Sequence, residues 1–334
     1  MRIGLAYDLQ TDPSASAQAE FDPPETLEAI AAALRDAGHA VVPLGGARDL
    51  LCWFPAKRLP AVDLVMNLAE GAGSRCREAW APTLLEVIGV PYTGSDPVAL
   101  AAALDKVATK RLCVAAGIPT PRWMTVEPGA PCAWPASLRP PLIVKPRYEG
   151  SAVGIDPAAI VRDAAALQAR VRWVTETFRQ PALIEEFIAG GEATVCLIGN
   201  DPPEALPPIL RPIDPISGLA WHASRATAAA QATVPVDLTP PLERALQQAA
   251  VAVFELLGCR DVARVDFRID AQGRWYVLEI NPLPNWSPTD SFGLLGESLG
   301  IGHAGMIRRL VVAAAARCGL PCAGVSAPCH ASPS

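Results

Sequence analysis

Residues 262–269 and 274–282 alternate apolar and polar side chains, and the Asp-Ala-Gln-Gly stretch at 270–273 between them suits a tight reversal. At strand period Ala263, Val265, Phe267 and Ile269 share one face, and Arg264, Asp266, Arg268 and Asp270 the other. In the second run Tyr276, Leu278 and Ile280 fall on one face and Val277, Glu279 and Asn281 on the other. The pattern predicts a β-hairpin. With three or four turn residues, Asp266 lies opposite or diagonal to Glu279, and facing carboxylates repel unless a cation sits between them. Asp266, Glu279 and Asn281 are hard oxygen donors, the set that suits Mg2+ shared with substrate phosphates. The plain alternative is a solvated outer face.

A chain of 334 residues predicts two or three domains, and 51% hydrophobic with 19% charged residues describes a compact fold. A net charge of -6 without any Lys/Arg run argues against nucleic acid and anionic membranes as partners, leaving small molecules. Nine scattered cysteines without a C-x-x-C pair fit reduced thiols. Cys318, Cys322, Cys329 and His330 match no usual zinc spacing. The N-terminus turns polar after a few apolar residues, so no leader or span is expected and the cytoplasm is the expected compartment.

Along the chain, strands are predicted at 3–7, 41–44 and 62–67, with a helix opened by Asp22 as N-cap and Glu25 reaching back, and ended by Gly38. This rhythm predicts an α/β domain with a parallel sheet, and Glu70, just after the third strand, is a candidate substrate contact. A helix starts near Ala79 and ends at Gly89, and one helix is predicted over 98–116. The apolar strand 142–146 ends in Lys145 and feeds the Gly/Ser loop 149–154, an arrangement suited to oxyanions although no Walker pattern occurs. Helices at 158–174 and 242–257, strands at 182–188 and 194–198, and a closing helix at 306–316 complete the reading. Residues 201–238 show no clear period.

These pieces resemble the ATP-grasp superfamily, and within it proteins similar to D-alanine-D-alanine ligase. The resemblance spans about residues 1–316 and rests on Asn-Leu-Ala-Glu-Gly at 67–71, Pro-Tyr-Thr-Gly-Ser at 91–95, Leu-Asp-Lys at 104–106, Ile-Val-Lys-Pro at 143–146, Glu-Gly-Ser at 149–151, Ile-Glu-Glu-Phe-Ile at 184–188, Arg-Val-Asp at 264–266 and Leu-Glu-Ile-Asn-Pro at 278–282. It implies an ATP-grasp fold of three domains: a parallel α/β domain (1–95), a lid (96–182) and a C-terminal mixed-sheet domain (183–320), with a loose tail (321–334).

By that resemblance Lys106 and Lys145 contact ATP phosphates, and Glu149, Gly150 and Ser151 belong to the loop that folds over them. Glu185, Glu186, Phe187 and Ile188 form the adenine hinge, and Glu192 meets the ribose. Asp266, Glu279 and Asn281 match the ligands of Mg2+, two ions by the family pattern with Mn2+ as a substitute, and Arg264 faces the reacting carbonyl. The implied reaction joins a carboxylate to an amine through an acyl phosphate. The family's first-loop acidic residue has no obvious counterpart in 9–14, and its Lys-Tyr pair is replaced by Ala-Ser-Arg at 223–225, with Arg225 conjectured to stand on the γ-phosphate and His222 nearby. Pro-Asn-Trp at 284–286 replaces the family's Pro-Gly, so Asn285, Asp290 and Ser291 are expected at a different acceptor. Genuine D-alanine-D-alanine ligation and an ATP-binding protein without catalysis are the alternatives. The resemblance allows a homodimer.

Overall fold

The computed structural model describes residues 1–53, 61–220 and 235–321. His222 and Arg225, with the cysteines at 322 and 329 and His330, lie outside them. The chain opens with β1 (Arg2–Tyr7), α1 (Pro24–Asp36), β2 (Ala40–Pro43), α2 (Ala47–Trp53), β3 (Leu64–Leu68) and α3 (Trp80–Ile88). The strands form a parallel sheet ordered β2-β1-β3, which leaves Asp8 and Glu70 just past the C-terminal ends of two adjacent strands. Asp22, expected as the cap of α1, is instead a buried side chain. Pro23 holds the N-cap position without a side-chain hydrogen bond, because Pro24 already supplies the helical φ.

The helix expected over 98–116 is two helices, α4 (Pro97–Leu104) and α5 (Lys106–Ala115). Asp105 breaks them apart with extended backbone, accepts from the N–H groups of Val107 and Ala108, and caps α5. Composition could not show this break, since both halves are apolar helix formers. Both helices pack beside α7 or the hairpin of the C-terminal sheet.

Next come β4 (Trp123–Val126), β5 (Leu142–Pro146), β6 (Ile160–Val161), α6 (Ala164–Phe178) and β7 (Ala182–Glu186), whose strands form an antiparallel sheet ordered β4-β7-β5-β6. The helix expected from 158 starts at 164, after a 3-10 turn and β6, because Asp163 is extended and caps it.

The last sheet contains β8 (Gly190–Ile198), β9 (Glu204–Ala205), β10 (Ile209–Arg211), β11 (Val262–Asp270) and β12 (Trp275–Asn281), with α7 (Pro240–Leu256) between β10 and β11. Its order is β10-β8-β11-β12, with β9 beside β8, and the sheet expected as mixed pairs antiparallel throughout. On one face Leu246, Ala250, Val253 and Phe254 of α7 close over Ala193, Val195, Ala263, Val265 and Phe267. The other face begins with Cys196, Ile198 and Val262 in a core shared with β1, β3 and α1. The chain closes with α8 (Ser291–Ser298), which was not anticipated, and α9 (Gly302–Arg317), both reaching into that shared core. No single helix among the described residues is long and apolar enough to cross a membrane.

Candidate active site

The hairpin forms as expected, with one correction. A bulge between Asp266 and Phe267 leaves Leu278 unpaired, so Phe267 faces Val277 while Asp266 faces Glu279 and Arg264 faces Asn281. Val277 therefore joins the buried apolar face and Tyr276 the polar one, the reverse of strict alternation. The polar face is covered: Asp266 and Arg268 are buried. Asp266 accepts from the Thr194 hydroxyl (2.8 Å), the Asn281 amide (3.1 Å) and the Arg264 guanidinium (3.0 Å). The Lys106 ammonium stands 3.0 Å from Glu279. Burial pushes Glu279 up, but Lys106, Lys145 and Arg264 outweigh it and hold the carboxyl at about 2. Asp266 and Glu279 face each other with compensating cations close by, and the Asn281 amide, here turned with its N–H toward Asp266, stands beside them; the two carboxylates are hard oxygen donors of the kind that suits a divalent ion.

Beneath them lies an ion triad. Glu185, on β7, holds Lys145 of β5 at 2.8 Å through one oxygen and Lys110 of α5 at 2.8 Å through the other, all three fully or nearly buried. Lys110 also donates to the Thr120 hydroxyl at 2.7 Å. Burial pulls Lys110 down, whereas Glu185 and Glu279 outweigh burial at Lys145 and raise it. Glu185 is itself held low by the two lysines despite its burial. Its carboxylate is thus engaged by lysines, and the triad carries one net positive charge under the loop. Lys110 was legible only as a charge on a helix.

Past Glu185 the strand becomes a connector. The Glu186 carboxylate accepts from the Arg139 N–H (2.9 Å) and the Phe187 N–H donates to the Pro141 carbonyl (2.9 Å). Arg268 ties the next turn down: it donates to the Ile188 carbonyl at 2.9 Å, lies 5.0 Å from the centre of the Phe187 ring, and stands 3.5 Å from Glu192. Burial raises the Glu192 carboxyl. Arg268 was expected only as a polar-face residue.

The loop after Lys145 is anchored by its backbone. Lys106 donates to the Glu149 carbonyl, and the Gln180 amide donates to the Glu149 carboxylate at 2.7 Å. Ser151 and Ala152 both take left-handed backbone, with φ of 46° and 56°. A Cβ at Gly150 would come within 2.1 Å of a Glu20 oxygen, so a larger residue there would displace the Glu20 carboxylate. Glu20 lies in the first loop, where no acidic counterpart was recognised. Its carboxylate pairs with Arg77 at 2.5 Å, and Arg77 also donates to the Tyr148 carbonyl at 2.8 Å. Glu70 and Glu78 join Glu20, one oxygen from each lying within 4.8 Å of the others. Burial first, and then neighbouring carboxylates, raise Glu70 well above the usual range and push Glu78 up to about 8.

On the opposite side, Asp290 caps α8, accepting from the Ser291 N–H at 2.5 Å, and Ser291 accepts from Arg211 at 2.6 Å. Burial raises Asp290, and Arg264, the Ser291 bonds and Arg211 together bring it below its ordinary value. Arg211, on β10, is a third guanidinium here that the aperiodic stretch concealed. Asn285 accepts from the Ser287 N–H at 2.7 Å and shapes the loop, while Trp286 stacks on Phe292 at 4.5 Å.

A family model for the D-ala D-ala ligase C-terminus matches residues 112–312. An uncharacterized protein of Sinorhizobium fredii, y4sG, is 34% identical over 85% of this chain and 85% of its own length. The D-alanine–D-alanine ligase of Pelotomaculum thermopropionicum is 31% identical over 89% of this chain and 93% of that protein. Among solved structures, the D-alanine–D-alanine ligase of Bacillus anthracis complexed with ATP superposes with a TM-score of 0.74, covering 94% of this chain and 97% of that one at 22% identity, a likeness of fold. The chain belongs to the D-alanine–D-alanine ligase family of ATP-grasp proteins, ATP-dependent ligases that form C–N bonds and release ADP.

Proposed function

We propose that this protein activates the carboxylate of an amino acid with ATP and Mg2+ and joins it to an amine other than plain D-alanine. The observation that carries the reading is the meeting, from separate elements, of Lys106 with Glu279, of Asn281 with Asp266, and of Lys145 and Lys110 with Glu185. A substrate carboxylate oxygen attacks the γ-phosphorus and ADP leaves; the amine then attacks the acyl phosphate carbonyl, phosphate leaves, and a proton is lost from nitrogen. Asp266 and Glu279, with Asn281 beside them, would hold a divalent ion, which would supply charge neutralisation on the transferring phosphoryl oxygens.

The chain's residues do the rest. Lys106, Lys145 and, behind them, Lys110 present positive charge to the phosphates, and the 149–154 loop closes over them with its backbone N–H groups. The 186–188 connector receives the adenine, with Glu192 at the ribose. Arg264 faces the developing oxyanion, with Ser151 and Arg225 assigned beside the phosphoryl group. Asp290, Ser291 and Arg211 line the acceptor side, with Asn285 adjoining it; His222, outside the described residues, is assigned there by the family resemblance alone. D-alanine as both substrates is the second reading, favoured by the names of the relatives.

The test is release of ADP and phosphate by purified protein with Mg2+, ATP and a panel of D- and L-amino acids. Glu279→Gln should cut turnover by about a thousandfold or more while the protein stays folded by circular dichroism. Silence across the whole panel, or full turnover by that variant, would overturn the ligase reading. Preference for D-alanine on both sides would establish the second.

A further inference from the structure

The carboxylates of Glu20, Glu70 and Glu78 gather where the 149–154 loop meets the C-terminal ends of β1 and β3. Arg77 pairs with Glu20 and stands 3.7 Å from Glu149, and Lys106 pairs with Glu279, so the nearby cations already have partners. Glu78 is 7% exposed, and among the described residues neither it nor Glu70 has a hydrogen-bond donor or cation in contact. The Asp22 carboxylate, 5% exposed, likewise lacks a donor among the described residues and lies within electrostatic reach of Glu70. A buried carboxylate without a partner is costly to keep ionised, so a row of such groups either holds protons or has cations seated against it.

Three oxygens within 4.8 Å of one another surround a point about 2.8 Å or less from each, the distance of an N–H···O bond. An ammonium offers three donors to three such acceptors. One ammonium carries one positive charge; with Glu20 paired to Arg77, it leaves the charge of one of Glu70 and Glu78, and that of Asp22, unanswered. A divalent ion fits less well, because the Arg77 guanidinium already occupies one Glu20 oxygen at 2.5 Å.

Resting on the ligase reading above, we propose that the acid this enzyme activates is dicationic: a diamino acid whose two ammonium groups sit against the acidic side chains of Glu20, Glu70, Glu78 and Asp22, leaving its carboxylate toward Lys106 and the 149–154 loop. Alanine, with one ammonium, answers only one of these charges.

The experiment compares kcat/KM for ADP release with alanine, 2,3-diaminopropionate, 2,4-diaminobutyrate, ornithine and lysine, each as both enantiomers, at saturating Mg-ATP and a fixed acceptor panel. At least one diamino acid should exceed alanine by about tenfold to a hundredfold, through a lower KM. Glu70→Gln and Glu78→Gln, each verified as folded by thermal melting, should compress that ratio toward one. Turnover that is equal with alanine, or better, would overturn the dicationic substrate and leave the ligase standing. Absence of ADP release with every acid would overturn the ligase itself. Without nucleotide, the diamino acid should raise the melting temperature of the wild type more than that of Glu78→Gln. If Mg2+ alone gives that difference and the diamino acid does not, the row is a metal site and the proposal fails.

Discussion

Glu78 titrates near 8 instead of an ordinary 4.5 because burial, and then the Glu20 carboxylate, oppose its charge. A carboxyl raised on folding binds its proton more tightly in the native state, so stability is lost as pH rises from about 4.5 to about 8. Asp22, raised to about 7, tilts the wild type the same way, so the comparison must isolate one group. Glu78→Gln, without ligand, should therefore melt higher than wild type at pH 8.5, with the gap shrinking toward pH 5. Equal gaps at both pH values would show that Glu78 is not held neutral. At the triad, Glu185→Ala leaves Lys110 and Lys145 buried without their shared carboxylate, which should cost about 3–5 kcal/mol in urea unfolding. The hairpin donors were legible because charge interrupts an apolar period-two pattern at Asp266 and Glu279. Glu20 and Glu78 were not, since each reads locally as an ordinary loop or helix-start acid; Glu20 meets Gly150, and its partner Arg77 meets the Tyr148 carbonyl, both distant in the chain.

Between residues and fold, two breaks in regular structure decide where function sits. The bulge at Leu278 brings Val277 into the core and still sets Glu279 opposite Asp266; a strictly regular hairpin could not do both. The break at Asp105 starts a new helix at Lys106, beside Arg147, which Asp105 binds through both oxygens at 2.6 and 2.7 Å. Asp105→Ala should lose about 1–3 kcal/mol of stability from the lost cap and ion pair and should raise the KM for ATP, since Lys106 loses its fixed origin. Denaturant unfolding and ATP titration check the two effects. An unchanged KM beside lowered stability would confine Asp105 to capping. Strand and helix stretches were legible where periodicity is strong, as in α7 and β11. The division of α4 from α5 was not, because it depends on an arginine 42 residues away.

At the scale of the molecule, the parallel sheet and the last antiparallel sheet share a core through α1, α8 and α9. Asp261 clamps the join: fully buried, it accepts from Arg317 at 2.7 and 2.8 Å, from the Gly94 N–H at 2.9 Å and from the Asn200 amide at 3.0 Å. Asp261→Ala should destabilise both sheets together, by about 3–5 kcal/mol. Circular dichroism and tryptophan fluorescence should give coincident transitions; separate transitions would mean the two sheets unfold independently. The order of elements, the hairpin, the lysine-ended strand and the oxygen donors are properties of the sequence by itself, because alternation, turn chemistry and residue type act over a few neighbouring residues. Only the tertiary structure decided which charges are answered. It brought Lys110 to Glu185, Arg268 to the connector and Arg211 to Ser291, and it left Glu78 buried and Glu70 half-buried without partners among the described residues, because burial and pairing are set by segments that meet only when the sheets close on one another.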